Sequence, residues 1–300
     1  MTSNYLFSFG RYQRPFSYPL QTAHGQWLVR EGLIIQLVDE AGSSYWGEIA
    51  PIPWFGSESL EEAIEFCTSL GSSVSWPVEI PDQLPATQFA FSAAILYGYE
   101  PLEPVIEDVA WSVLLPAGER VLAAWQRPWE LGHRTFKWKI GVAGVVDELA
   151  IFDQLLTALP VGAKLRLDAN AGLSYLDAST WLSALPVGSV EFLEQPVGNL
   201  AEMLRLTERY DIPLAVDELV SNLGRLRECY EQGWRGIYVI KPGIAGPLGE
   251  LANFIHERQL DVVLSSSLES SIGQKAILRW AQEQKLMGRA AGMATDSWFT

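Results

Sequence analysis

Five short apolar segments in the middle of the chain each end in a charge, and they recur at nearly even spacing. They are Phe136-Lys137-Trp138-Lys139-Ile140, Leu165-Arg166-Leu167-Asp168, Phe192-Leu193-Glu194, Leu214-Ala215-Val216-Asp217 and Tyr238-Val239-Ile240-Lys241. From Lys139 the terminal charges step by 29, 26, 23 and 24 positions. One strand with its crossover helix takes about that much chain, and β-branched or apolar runs that stop at a charge suit buried parallel strands. In a parallel barrel all strands end on one rim, which is where such folds build active sites. Charges far apart in sequence therefore meet in space.

The pattern predicts barrel strands near 109–115, 135–140, 164–168, 190–194, 213–217, 237–241 and 261–265, with amphipathic helices such as Leu200–Tyr210 and Gly249–Arg258 between them. Gly288–Phe299 would add a last strand and a tail. The first hundred residues read differently. Strands are expected at Tyr5–Phe9, Gly32–Val38 and Tyr45–Ile49, with a hairpin turn at Asp39–Ser44. Pro51–Gly56 reads as a loop, Ser59 with Glu62 as a capping box, and Phe89–Tyr97 as a buried helix. The fold class is thus α/β: a modified (β/α)7β TIM barrel with an N-terminal α+β capping domain. The expected divisions are 1–104 for the cap, 105–285 for the barrel, and 286–300 for the last strand and tail.

Composition narrows the function. The net charge is −15, which argues against nucleic acid or an anionic membrane as partner but not against a small anionic substrate in a cleft. No signal peptide pattern or long apolar span is visible. Two cysteines, Cys67 and Cys229, suggest no disulfide framework and fit a reducing cytoplasm. Oligomeric state stays open.

Asp168, Glu194 and Asp217 are acceptor-only when ionised, and crowded carboxylates repel unless a cation neutralises them. Oxygen ligands favour a hard divalent ion such as Mg2+, with Mn2+ as a substitute. One such acid alone would read as a surface charge; three on consecutive strands favour a metal site. Lys137 and Lys139 lie two apart and share the inner face of their strand. Their repulsion and burial are expected to lower the pKa of at least one, which suits a general base. Lys241 would face them from across the barrel. Arg166 shares a face with Asp168 and reads either as pocket-facing or as an ion pair buffering the acids. Ser265, Ser266 and Ser267 have no histidine partner and are expected to line the pocket. His24, His133 and His256 fall at no catalytic strand end. A divalent cation between opposed lysines suits removal of a proton alpha to a carboxylate, with the ene-diolate stabilised by the metal.

Lys137-Trp138-Lys139 with Asp168, Glu194, Asp217 and Lys241 resembles the enolase superfamily, muconate-lactonizing subgroup. Leu165–Asn170, Ser265–Gly273 and Trp46–Ser59 resemble the o-succinylbenzoate synthase family within it. The resemblance spans nearly the whole chain, with Trp54 standing where a glycine is expected. It implies a hydro-lyase that dehydrates 2-succinyl-6-hydroxy-2,4-cyclohexadiene-1-carboxylate to 2-succinylbenzoate in menaquinone or phylloquinone biosynthesis. It implies Lys139, Lys241 and Lys137 as catalytic residues, and Mg2+ on Asp168, Glu194 and Asp217. Arg166, Asn170, Ser265, Ser267 and Gly292 are implied at the substrate. Donor and acceptor roles between Lys139 and Lys241 stay open. The alternatives are an N-succinylamino acid racemase or dipeptide epimerase, and a non-catalytic metal-binding barrel.

Overall fold

The structure, a computed structural model, describes residues 3–22, 25–98, 109–293 and 298–299. The expected cap–barrel boundary near 104 and His24 lie outside the described residues. The N-terminal region is an antiparallel sheet of β1 (Ser3–Thr22), β2 (Gly25–Val38), β3 (Ser44–Ile49) and β4 (Ser73–Trp76), in the order β3-β2-β1-β4. β1 runs well past the expected Phe9, and β4 was not expected. Their polar stretches carry little hydrophobic alternation, so pairing and not pattern makes them strands. β2 does alternate: Leu33, Ile35 and Leu37 are fully buried. They pack with Ile49, Phe91 and Cys67 into a core under the helices Leu60–Ser69 and Pro85–Tyr97. Ser59 and Glu62 form the capping box in full.

The second sheet is β5 (Ser112–Leu115), β6 (Thr135–Lys139), β7 (Lys164–Asp168), β8 (Phe192–Glu194), β9 (Leu214–Val216), β10 (Ile237–Ile240) and β11 (Val262–Leu264). They pair in chain order, all parallel. Their outward residues carry the main core. Phe136 and Trp138 are fully buried, and Trp138 meets Trp181 of the helix Tyr175–Ala184 edge to face at 6.2 Å. Inward residues Phe192, Ala215, Ile237, Val239 and Val263 form a separate small core inside the barrel.

The expected last strand shrinks to two bridged residues. Ala291 pairs with Trp111 and Gly292 with Ser265. Ser112 N donates to Ala291 O at 2.9 Å and Gly292 N to Leu264 O at 2.8 Å, joining β11 to β5. Residues 294–297 of the expected strand and tail lie outside the described residues. Among the described residues no helix is long and apolar enough to cross a membrane.

Candidate active site

Strand periodicity sets the site. Lys137 and Lys139 point inward from β6 because Phe136 and Trp138 point outward, and Lys139 is in register with Asp168, which is in register with Glu194. Asp217 and Lys241 follow directly on β9 and β10. The Lys137 ammonium donates to Glu194 Oε1 at 2.6 Å and lies 2.8 Å from Asp168 Oδ2. Lys241 Nζ is ion-paired with Asp217 Oδ1 and sits 3.9 Å from the centre of the Phe55 ring. Lys139 alone of the three makes no hydrogen bond or ion pair with the described residues. Among the described residues its Nζ is therefore the lysine nitrogen open to the rim.

Electrostatics show too little positive charge. Burial, then repulsion from Asp168 and Asp217, pushes Glu194 up to about 8 despite the opposing pull of Lys137. Glu218, the residue after Asp217, is pushed up to about 7 by burial and by Asp217. Its Oε2 is buried without a hydrogen-bond partner. The expectation was a lowering in at least one of Lys137 and Lys139, and Lys137 is not that one. Burial alone would lower its pKa, but Asp168, Glu194 and Asp217 outweigh burial and hold it above the ordinary lysine range. The expectation weighed Lys137 against Lys139 and omitted the acids at the ends of β7, β8 and β9.

Two residues expected at the substrate are engaged by other groups of the protein. Arg166 does point inward, but two residues deeper than Asp168. Its Nε donates to Glu191 Oε2 at 2.7 Å and its Nη1 to Ala290 O at 2.9 Å. With 1% exposure it belongs to the barrel floor, where Arg289 bridges Glu191 to Asp261. Ser267 is fully buried and gives its hydroxyl to Glu269 Oε1 at 2.7 Å. Ser265, half-buried beside Gly292, keeps a place on the rim. Asn170 bonds Glu218 Oε1 at 3.2 Å through its side chain and Asp168 Oδ1 at 3.0 Å through its backbone N–H. His133 is half-buried and His256 exposed, away from the acids' strand ends.

Several residues that brace the site carried no sequence signal. Gln195 is fully buried with φ +37°. Its Oε1 accepts from Asp217 N at 2.8 Å and its Nε2 donates to Val197 O at 2.7 Å. Asn170 and Ala171 also take positive φ, 43° and 58°. Non-glycine residues in that region cost on the order of 1–3 kcal/mol each and concentrate at functional sites. Glu148 accepts from the backbone N–H groups of Gly141, Val142 and Ala143 at 2.8, 2.9 and 3.0 Å, fixing the loop just after Lys139. From the cap, Pro53–Phe55 leans over the rim. Gly56, at φ +98°, lies so close to the loop after β9 that a Cβ would come within 2.6 Å of Ser221 Oγ. Trp54 packs edge to face on Trp27 at 4.8 Å. A cleft of about 490 Å³ between this loop and the helix Leu223–Glu231 includes Glu218 in its wall but none of the three lysines, so it adjoins the charged cluster and does not contain it.

Comparison with known proteins supplies the family. Residues 5–97 match the family described as MenC, N-terminal domain, and residues 120–285 the one described as Enolase C-terminal domain-like. The o-succinylbenzoate synthase of Thermosynechococcus vestitus is 35% identical over 305 residues, covering 96% of this chain and 91% of that protein. The chain belongs to the o-succinylbenzoate synthase family of the enolase superfamily. A crystal structure from that family, the Thermosynechococcus elongatus BP-1 enzyme with Mg in its active site, superposes with a TM-score of 0.93 at 34% identity, covering 98% of this chain and 94% of that one. The L-Ala-D/L-Glu epimerase of Bacillus subtilis shares the fold alone, with a TM-score of 0.74 at 19% identity over 97% of this chain and 89% of that one. The family's α/β architecture, a barrel sheet beside a separate antiparallel N-terminal sheet, is the one described above.

The donors here fit the family's divalent metal, Mg2+. Asp168, Glu194, Asp217 and Glu218 set four carboxylates against three lysines, and Glu194 is driven towards protonation with Lys137 already bonded to it. Among the described residues no three ligands already stand in a metal-holding arrangement. Lys137 and Lys241 draw the carboxylate oxygens to themselves.

Proposed function

We propose that this protein is an o-succinylbenzoate synthase, a hydro-lyase that removes water from 2-succinyl-6-hydroxy-2,4-cyclohexadiene-1-carboxylate to give 2-succinylbenzoate, on the route to menaquinone or phylloquinone. The observation that carries the reading is a lysine, Lys139, that bonds nothing among the described residues, beside an under-neutralised carboxylate cluster. A divalent cation, Mg2+ or in substitution Mn2+, held by Asp168, Glu194 and Asp217 would supply the charge that makes a dianionic ene-diolate accessible.

Lys139, as the neutral amine, takes the proton alpha to the substrate carboxylate, and the C–H electrons move into the carboxylate to give the ene-diolate, whose collapse into the ring expels the hydroxyl. The same ammonium then protonates the hydroxyl departing from that face. The C–O bond breaks, water leaves and the ring becomes aromatic. Lys137 holds Asp168 and Glu194 in place. Lys241, between Asp217 and the Phe55 ring, adds positive charge opposite Lys139. Cation–ring contact of this kind is worth about 0.5–2 kcal/mol, and it makes Phe55 part of the substrate chamber. Asn170, Ser265 and Gly292 contribute to the wall of that chamber. The partner is a small anionic carboxylate, and the two buried thiols suit a reducing cytoplasm.

Racemisation of an N-succinyl amino acid would require Lys241 to transfer a proton as well. Its engagement with Asp217 and Phe55 favours the one-base elimination. The deciding experiment assays the cyclohexadiene substrate beside N-succinyl amino acids in D2O, with chelator and with Mg2+ restored. Elimination that chelator removes and Mg2+ restores supports the reading. Deuterium wash-in without elimination replaces it with the racemase, and full elimination in excess chelator removes the metal from it.

A further inference from the structure

Two charged residues of the N-terminal region are buried where the two regions meet, and neither touches the carboxylate cluster. Arg30, on β2, is 1% exposed, and Glu48, on β3, is fully buried. Arg30 spends its guanidinium on carbonyls from both regions. Nη1 donates to Pro51 O at 2.8 Å and to Glu31 O at 2.9 Å, and Nη2 bonds Ala50 O. Nε reaches Leu268 O in the loop after β11 at 3.3 Å. Ala50 and Pro51 begin the loop that carries Phe55 over Lys241. Leu268 lies three residues from Ser265, in a left-handed backbone at φ +64° that a leucine does not take unaided. One side chain thus ties together two walls of the chamber.

Glu48 repeats the tie one strand over. Its carboxylate accepts from Ser270 N at 2.8 Å, Ser270 Oγ at 2.6 Å and Gly273 N at 3.0 Å, at the start of the barrel helix Ser271–Glu283, and from Tyr12 Oη. Between the two ties, Arg14 Nη1 donates to Glu269 O at 2.8 Å. Glu269 in turn holds Ser266 Oγ at 2.5 Å and Ser267 N at 2.9 Å. Burying two charges for a merely structural joint is expensive, and apolar packing would serve as well. What ionic groups add is direction: the bonds to Ala50 O, Pro51 O, Leu268 O and Ser270 N each fix a particular carbonyl or N–H of a loop that borders the chamber.

We propose that Arg30 and Glu48 are positioning residues for catalysis, holding the Pro51–Gly56 loop and the Ser265–Ser270 loop at the spacing that closes the chamber on the substrate. This rests on the elimination reading for its kinetic arm only. Arg30→Lys keeps the charge but offers one nitrogen where two carbonyl-bearing segments need a fork. Glu48→Gln keeps the volume and gives up one acceptor oxygen for a donor facing Ser270 N–H. Neither touches the reacting atoms.

The expected result is a rise in KM of about tenfold or more, the loss expected from one buried charge-assisted hydrogen bond, with kcat within about threefold. Amide hydrogen exchange should speed up in both 51–57 and 265–270 of the same variant, while the β7 and β8 amides keep their protection. Exchange needs no substrate, so it reports on the joint even if the elimination reading fails, and a wild type without turnover condemns that reading separately. Should Arg30→Lys not fold, the isosteric Glu48→Gln carries the test. Unchanged KM with a lowered melting temperature, or faster exchange in one loop only, overturns the proposal and leaves the joint a structural one.

Discussion

The cap and the barrel both bury charge, but they do so in opposite ways. In the cap, Glu58 is met by the backbone N–H groups of Ala86 and Thr87 at 3.0 and 2.7 Å and by the Thr87 hydroxyl at 2.7 Å, closing the start of the helix Pro85–Tyr97. Arg30 and Glu48 are likewise surrounded by partners of fixed geometry. At the barrel rim, the carboxylates of Asp168, Glu194, Asp217 and Glu218 face one another, and their lysines do not neutralise them. Hydrogen-bonded burial builds architecture. Burial against like charge stores a demand for a cation, and that demand marks the chemistry.

The contrast is broken most severely at Glu194. Glu194→Gln should lower turnover by more than about 100-fold, since losing even an outer partner of a metal ligand costs 10–100-fold. Yet without metal at pH 8 the variant should melt at or above the wild type. A carboxyl held above its ordinary 4.5 stabilises the fold below that pH, and the contribution is lost as pH rises through about 8. The gap in melting temperature should therefore open between pH 4.5 and 8 in chelator and close when Mg2+ is added. A variant that is less stable across the whole range would show that Glu194 is paired as the cap acids are.

Lys139→Ala comes next. Loss of a general base costs roughly 10²–10⁴-fold in kcat, with melting little changed because Lys139 bonds nothing among the described residues. Lys137→Ala should cost less in rate and more in stability, since it removes the contacts to Asp168 and Glu194. If Lys137→Ala proved the slower enzyme, the two roles would have to be exchanged.

The division of labour also explains what could be read without coordinates. Strands that end in a charge are legible because apolar side chains must alternate with the chain's turn to the rim, so Lys139, Asp168, Glu194, Asp217 and Lys241 stand out from the sequence alone. Arg166 shows the limit: periodicity gives a side chain's face but not its depth, and two residues along β7 separate Asp168 at the rim from Arg166 on the barrel floor. Ser267 shows a related limit, because its partner Glu269 lies on the same loop and no pattern announces that bond. The cap's polar strands, the Gln195 brace and the Arg30 joint depend on pairing between distant segments. A closing strand was expected in Gly288–Phe299, but its two-residue extent at Ala291 and Gly292 is too short for periodicity to locate.

On the cap side the effect should fall on stability. Glu58→Ala removes three hydrogen bonds to the first turn of a helix and should cost about 1–3 kcal/mol, visible as a melting temperature several degrees lower. Turnover should stay within a few fold, because the helix Pro85–Tyr97 bears no rim residue. A collapse in kcat with unchanged melting would mean that the cap acid reaches the chemistry.

The smallest effect is a labelling rate, and it tests whether the two regions are separable at all. Each region has one thiol. Cys67 is fully buried in the cap core and Cys229 is 3% exposed in the barrel shell. Burial, with Glu58 adding for Cys67, pushes both up to about 12. At pH 8 the thiolate is then on the order of 10⁻⁴ of either population, so a thiol alkylator should leave the native protein unmodified for hours. In rising denaturant, peptide mapping gives the opening of each region separately. The helix Pro85–Tyr97 touches the barrel where Leu248 N donates to Ser92 Oγ at 3.1 Å and Tyr97 Oη donates to Glu283 Oε2 at 3.0 Å, and the Arg30–Glu48 joint adds its own ties. Cys67 and Cys229 should therefore become reactive at the same denaturant concentration in the wild type. In Arg30→Lys, Cys67 should move to a lower concentration while Cys229 stays. Cys67 labelling first in the wild type would mean that the cap opens on its own and that its buried charges hold only itself together.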